Sequence, residues 1–282
     1  MPTEWLKRCA KRWFNLFGLE VRRKQQHVGR VDPRTSMAEV LQQAKQVGFC
    51  PGTVIDVGAA FGSFTRECHA VFPDAYYLLI EPLEEYRPLL NRLTRAIPTV
   101  HYCIAAAAAR PGTMELNVHP DLVGSSLYRE VESATGVNGI PRTVSLVTID
   151  SLVRERGAAG PYLIKLDVQG AELDVLRGAE QVLADSDFVI LEVSFFKFFH
   201  GGPECADVLA YMRGRGFVPY DIVGLQYRPL DQALSQADVA FVKEDGLFRR
   251  HHGYATPAQR AEQNARMKRH LNELFGDRAH DS

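Results

Sequence analysis

The chain has 282 residues and a formal net charge of -1, with 46% hydrophobic, 24% charged and 10% aromatic residues. Near-neutrality excludes a global pull towards nucleic acid or an anionic membrane, so any such preference would have to come from a local patch. The 5 cysteines are scattered, with no C-x-x-C pair, which points to reduced thiols in a cytoplasmic protein rather than a disulfide framework or a zinc site.

Residues 1–48 are polar, basic and helix-prone, ending at Gly48 and the Pro51-Gly52 turn. Within them Trp5, Leu6, Cys9, Trp13, Leu16 and Phe17 recur at helical spacing, opposite Lys7, Arg8, Lys11 and Arg12. Such a helix suits peripheral contact with the inner face of a membrane. Packing on its own domain or on a second copy in a homo-oligomer explains the pattern equally well. No run of roughly 18 apolar residues occurs, so no membrane span is expected, and Trp13–Leu19 is too short for a secretory segment.

Residues 49–244 alternate short β-branched runs with helical patterns. The strand candidates are Thr53–Val57, Tyr76–Ile80, Thr99–Ile104, Tyr162–Val168, Phe188–Val193, Phe217–Asp221 and Val239–Lys243. Several are apolar almost throughout, as strands covered on both faces are. Helical patterns lie between them at about Gly62–Val71, Leu83–Arg95, Ala171–Leu183 and Glu204–Arg215. This alternation predicts parallel strands with right-handed crossovers, an α/β doubly wound sheet. Residues 113–148 break the rhythm and read as an inserted hairpin or flap. Residues 245–282 form a charged tail with an amphipathic helix over Pro257–Phe275.

The segment from Thr53 to Thr65 is strand, glycine-rich turn and helix start. Gly58 suits a positive φ as the chain leaves the strand, and Gly62 allows close approach of a ligand or a strand. The free N–H groups at the start of the next helix suit an anionic group. Asp56 offers a carboxylate to the turn or to a ligand ammonium. The D-x-G-x-x-x-G spacing differs from the G-x-G-x-x-G fingerprint of dinucleotide sites. Glu81 ends the next strand roughly 20 residues on, where an acid accepts the hydroxyls of a ribose. A ligand-free βα turn and a solvated strand end are the plain alternatives.

In order and spacing, the segments VIDVGAAFGSFT, LLIEP, LIKLDVQGAELDVLRGA and FVILEVSFF resemble the FkbM family of S-adenosylmethionine-dependent methyltransferases. Ser125-Ser126-Leu127 and Val147–Leu152 are also similar, and the resemblance runs from about Thr53 to Lys243. It implies a class I methyltransferase fold, a Rossmann-like seven-stranded, mostly parallel sheet with helices on both faces and the last strand antiparallel. It implies S-adenosyl-L-methionine as cofactor and O-methylation of a hydroxyl on a sugar, glycan, glycolipid or secondary metabolite. A fold-retaining binding protein without turnover is the contrasting class. Asp56, Gly58 and Gly62 would line the methionine end of the cofactor and Glu81 the ribose, with Ala59, Phe64, Thr65 and Pro82 completing the lining. Two positions depart from the family: Ala60 stands where Asn is frequent, and Gln169 where Glu is frequent.

A hydroxyl acceptor needs its proton removed, and in an open α/β sheet ligands collect at the carboxyl ends of the strands. Lys165 and Asp167 lie two apart on one strand and face the same side, as an ion pair or with Asp167 as base. Glu192 ends the next strand, as a rim group or a loop anchor. Glu172 falls in a first helical turn, where its charge complements the helix dipole. His200, in the aromatic run Phe195–Phe199 and its sequel, is a further candidate base or substrate contact. His119 and Asp121 lie in the insert without a second close ligand pair, so no metal is called. No [DN]-P-P-[FYW] run occurs, which argues against a nucleic-acid partner; the carbohydrate or glycolipid substrate is what the family resemblance implies.

Overall fold

The computed structural model describes residues 33–132 and 136–276. The aromatic and basic pattern of residues 5–17 lies outside them. Residues 34–252 form one compact unit. The charged helix Pro257–Gly276, 20 residues long, belongs to another.

Helix α1 (Met37–Gln46) starts at Ser36 with a reciprocal cap. The Ser36 hydroxyl accepts the Glu39 N–H, and the Glu39 carboxylate accepts the Ser36 N–H. Then follow β1 (Thr53–Val57), α2 (Ser63–Val71), β2 (Tyr76–Glu81), a 3-10 turn at Glu84–Tyr86, α3 (Arg87–Ala96) and β3 (Val100–Ile104). After them come β4 (Ala106–Ala107), β5 (Gly112–Val118), β6 (Ile140–Val147), α4 (Ile149–Arg156) and β7 (Tyr162–Leu166). The unit closes with α5 (Glu172–Arg177), α6 (Glu180–Ala184), β8 (Ser186–Ser194), α7 (Cys205–Arg213), β9 (Phe217–Tyr227) and β10 (Leu234–Lys243).

Seven strands form the main sheet in the order β3-β2-β1-β7-β8-β10-β9. All pairings are parallel except those of β10, which runs antiparallel to both neighbours. This is the class I methyltransferase topology, a seven-stranded sheet with its last strand reversed. One apolar cluster, with Val54, Leu79, Leu163 and Ile190, fills one face of the sheet. A second, with Ile55, Leu78, Ile164 and Leu191, fills the other. Burial on both faces is why these strands read as unbroken apolar runs.

Five elements differ from the sequence expectation. Strand β7 stops at Leu166 rather than Val168, because Asp167 makes its last ladder bond to Val57 and the chain then turns through Gln169 (φ 51°) and Gly170 (φ 94°). The single helix expected over Ala171–Leu183 is two short ones. Gly178 breaks it where it packs on the Ala108 backbone, so closely that a Cβ would lie 2.1 Å from the Ala108 carbonyl oxygen. Helix α4 was not among the expected helices, although Thr148 caps it by accepting the Ser151 N–H. Finally β9 and β10 form a long hairpin that reaches from Tyr227 to Leu234, well past the expected Phe217–Asp221 and Val239–Lys243.

Strands β5 and β6 pair antiparallel from Gly112↔Leu146 to Val118↔Ile140. With β4 alongside β6 they make a separate three-stranded sheet. The 119–127 segment folds back on it, with Asn117 and Ser126 exchanging backbone hydrogen bonds.

Candidate active site

The alternate residues on one face of the central strands are apolar until the carboxyl end, where each series turns polar: Val54-Asp56, Leu79-Glu81, Leu163-Lys165 and Ile190-Glu192. Parallel register aligns these ends, with Asp56 opposite Lys165. Four polar side chains therefore converge on one edge of a sheet that is otherwise dry.

A cavity of ≈ 260 Å³ opens there. Its acidic end is formed by Asp56, Glu81 and Asp167, with the Lys165 ammonium among them. Gly58, Ala59, Phe64 and Pro82 line it, and Leu122, Val123, Ser125 and Leu127 of the insert cover it. The insert is tied down where the Ser126 hydroxyl donates to the Gln169 carbonyl oxygen at 2.6 Å and accepts the Tyr128 N–H.

Asp56 is buried, and one of its oxygens accepts the Thr65 hydroxyl at 2.6 Å. Burial pushes its pKa up to about 6, against the lowering effect of that hydrogen bond. Glu81 accepts the Ala60 N–H at 2.8 Å on one oxygen and the Leu83 N–H at 2.8 Å on the other. It thus joins the glycine-rich turn to the start of the next connection. Burial raises it to about 7. A carboxylate has roughly four lone-pair positions, so both oxygens keep capacity for ligand hydroxyls.

Gly58, at φ 75°, lets the turn cross the next strand end: a Cβ would lie 1.8 Å from the Asp167 carbonyl oxygen. Gly62, the residue before α2, is not part of the cavity wall. Its φ of 78° and the Leu93 side chain 2.5 Å from a would-be Cβ make it a turn and packing residue. Thr65 likewise acts through Asp56. Gly62, which precedes α2, has no side chain to cap it, and Ser63 and Phe64 of the first turn meet the cavity. Those first-turn N–H groups are open to an anionic ligand group.

Lys165 is 5% exposed. Its ammonium donates to Asp238 at 2.8 Å and stands 3.6 Å from Asp167. Burial alone would lower its pKa, but the two carboxylates outweigh that and the net direction is up. An ammonium paired with two carboxylates is held in its charged form, which does not suit a base, and it stands against Asp167. The Asp167 side chain is 39% exposed, at the cavity wall.

Glu192 is buried outside the cavity wall. Three amides converge on it: Gln169 at 2.8 Å, Gln226 at 2.9 Å and Gln236 at 2.9 Å. Burial, then the charge of Asp167, pushes it up to about 8. Glu172 accepts the Gly170 N–H, closing the turn after β7, and burial raises it to about 7. His200 is exposed and does not reach the cavity. Its backbone N–H bonds to Arg129 while Phe199 turns inward, which directs the ring to solvent. His119 pairs with Asp121 at 2.6 Å on the insert.

Asp238, Gln226 and Gln236 were missed from the sequence. The signal was the alternation Gln236-Ala237-Asp238-Val239, which places both polar groups on one face of β10.

The Methyltransferase FkbM domain matches residues 56–219, more than half of the chain. A methyltransferase, sdnD, of Sordaria araneosa is 27% identical over 156 residues, 45% of this chain and 60% of that protein. The 31-O-demethyl-FK506 methyltransferase FkbM of Streptomyces tacrolimicus is 26% identical over 196 residues, 59% of this chain and 73% of that protein. Among solved structures, a methyltransferase FkbM from Methylobacillus flagellatus is similar at a TM-score of 0.44 and 16% identity, covering 67% of this chain and 43% of that one. The chain thus spans about 60% of the length of one curated relative and under half of that solved one.

Proposed function

We propose hydroxyl-directed methyl transfer for this chain, which belongs to the FkbM family of S-adenosylmethionine-dependent methyltransferases. The acceptor is a hydroxyl of a sugar, glycan or glycolipid. When bound, the cofactor supplies an electrophilic methyl on a positively charged sulfur.

The chemistry of the cavity fits that group. Three carboxyls against one ammonium favour a ligand that brings positive charge. Asp56 and the open N–H groups of α2 suit the amino-acid end, and Glu81 the ribose hydroxyls. The insert residues Leu122, Val123 and Leu127 exclude water from the apolar remainder.

The observation that carries the reading is Asp167. It is the one cavity carboxyl that is half exposed, and it is fixed from two sides, by Lys165 and by the Gln169 amide at 2.9 Å. In this role it accepts the proton of the acceptor hydroxyl as the oxygen attacks. Positioning and desolvation supply the rest, since the displacement needs only an in-line approach.

A hydroxyl on a secondary metabolite is the second reading, favoured by the relative whose name states an O-demethyl substrate. Radiolabelled methyl transfer, run in parallel on neutral glycans, glycolipids and secondary metabolites, separates the two. Cofactor binding without transfer to any hydroxyl would return the chain to the class of non-catalytic binding proteins.

A lipid-linked acceptor would give the amphipathic pattern of residues 5–17 a purpose. The full chain should then co-sediment with anionic vesicles, and deletion of residues 1–24 should abolish it.

A further inference from the structure

We propose that Gln169, Gln226 and Gln236, gathered around Glu192, form the subsite that holds the hydroxyl-bearing acceptor beside Asp167. The proposal rests on the methyl-transfer reading and names where its second substrate sits.

The three amides come from three different places: the turn after β7, the end of β9 and the start of β10. Gln226 lies directly across from Gln236 in the β9–β10 hairpin. All three turn one N–H onto the same buried carboxyl, at 2.8 to 2.9 Å. In all three bonds the amide Nε2 is the group turned to the carboxyl oxygens, so the N–H end of each amide points inward.

What remains points outward. Gln169 spends its second N–H on Asp167, leaving its carbonyl oxygen. Gln226 and Gln236 each keep one N–H and one carbonyl oxygen without a partner among the described residues. The Gln169 and Gln236 carbonyl oxygens are not among the buried unpaired polar atoms, so they are open to solvent. Gln226 is exposed; Gln169 and Gln236 are half-buried. The result is a fixed platform of alternating donors and acceptors that ends at Asp167, and Asp167 borders the cofactor cavity.

The chemistry of the platform selects its ligand. Paired donors and acceptors match hydroxyl groups, which are both. The two cations that touch the platform's neighbours are already paired. Lys165 faces Asp238 and Asp167, and Arg228 holds Asp231 at 2.6 and 2.8 Å. A phosphate or carboxylate would meet the Asp167 carboxyl with both of these cations already paired. The Arg228 guanidinium also lies 3.7 Å above the Phe196 ring, giving a flat wall beside the platform. A neutral polyol ring, such as a hexoside or deoxyhexoside, is the class that fits.

The test uses the full chain saturated with S-adenosylhomocysteine and saturation-transfer NMR on neutral methyl hexosides and methyl deoxyhexosides. We expect transfer to the glycoside protons of at least one probe, and binding about tenfold weaker in Gln226→Leu and in Gln236→Leu. Their affinity for S-adenosylmethionine should stay at the wild-type value, which also verifies their fold. Gln226→Glu, which adds a charge against Glu192, should weaken the glycoside in the same way. No saturation transfer to any neutral glycoside, or equal binding in wild type and both leucine variants, would overturn the subsite. Loss of S-adenosylmethionine binding by the wild type would instead overturn the methyl-transfer reading.

Discussion

Lys165 and Asp238 are 73 residues apart and stand on strands separated by β8, yet their charged groups meet at 2.8 Å. The pair lies under the carboxyl edge of the sheet, where Lys165 would otherwise be a single charge in an apolar strand. Removing Asp238 leaves the buried ammonium with Asp167 alone, at 3.6 Å. Asp238→Leu should therefore lower stability, by up to about 3 kcal/mol. The double variant Lys165→Met/Asp238→Leu should recover part of that loss. Chemical denaturation of the two single variants and the double measures the coupling directly.

Asp167 should separate binding from turnover. Asp167→Asn keeps a group that bonds to the Gln169 side chain but removes the proton acceptor. We expect methyl transfer to fall by about a hundredfold to ten-thousandfold, with S-adenosylmethionine affinity within about twofold of wild type. Isothermal titration with cofactor, together with single-turnover rates, tests this; full activity in the variant would sink the assignment.

Cofactor binding should depend on pH through Asp56 and Glu81. Burial holds them at about 6 and about 7, so both gain protons as pH falls below neutrality. A cationic ligand favours the ionised forms. Affinity should therefore rise from pH 5.5 to pH 8, with proton release on binding near pH 6 to 7. Titrations in two buffers of different ionisation enthalpy would detect that release.

The stability of the ligand-free protein should run the other way. Asp56, Glu81, Glu172 and Glu192 all have folded pKa values above their ordinary ones. Between about pH 4.5 and 8 the folded state then holds protons that the unfolded chain releases, so this stabilisation is present at low pH and lost as pH rises. The melting temperature should fall across that window for these groups. Saturating cofactor should offset the fall. A ligand-free melting temperature that climbs steadily from pH 5 to 8 would contradict the buried carboxyls.

Two neighbouring positions of the glycine-rich turn should respond in opposite directions. Gly58→Ala forces a Cβ onto the Asp167 carbonyl at a positive φ, and should cost about 3 kcal/mol or more. Ala60 already sits at φ 47°, where Gly and Asn are better tolerated. Ala60→Asn or Ala60→Gly should stabilise by about 0.5–1 kcal/mol, read as a shift in denaturation midpoint.

Much of this molecule was written into the chain locally. Alternating apolar strands and helices predicted the doubly wound sheet, because strand burial and helix periodicity are short-range patterns. The turn after β1 and the acid ending β2 marked one end of the cavity, the proposed cofactor end, because backbone geometry and strand position are also local. Lys165 and Asp167 on one strand face required only the two-residue repeat. What the sequence could not supply were partners set by register between distant strands. Lys165 turned to Asp238 as well as to Asp167, Glu192 drew in Gln169, Gln226 and Gln236, and His200 was directed to solvent by a backbone bond to Arg129. A charge in a dry strand announces that it needs a partner. Which partner arrives is decided only when the sheet closes and the carboxyl ends are brought level.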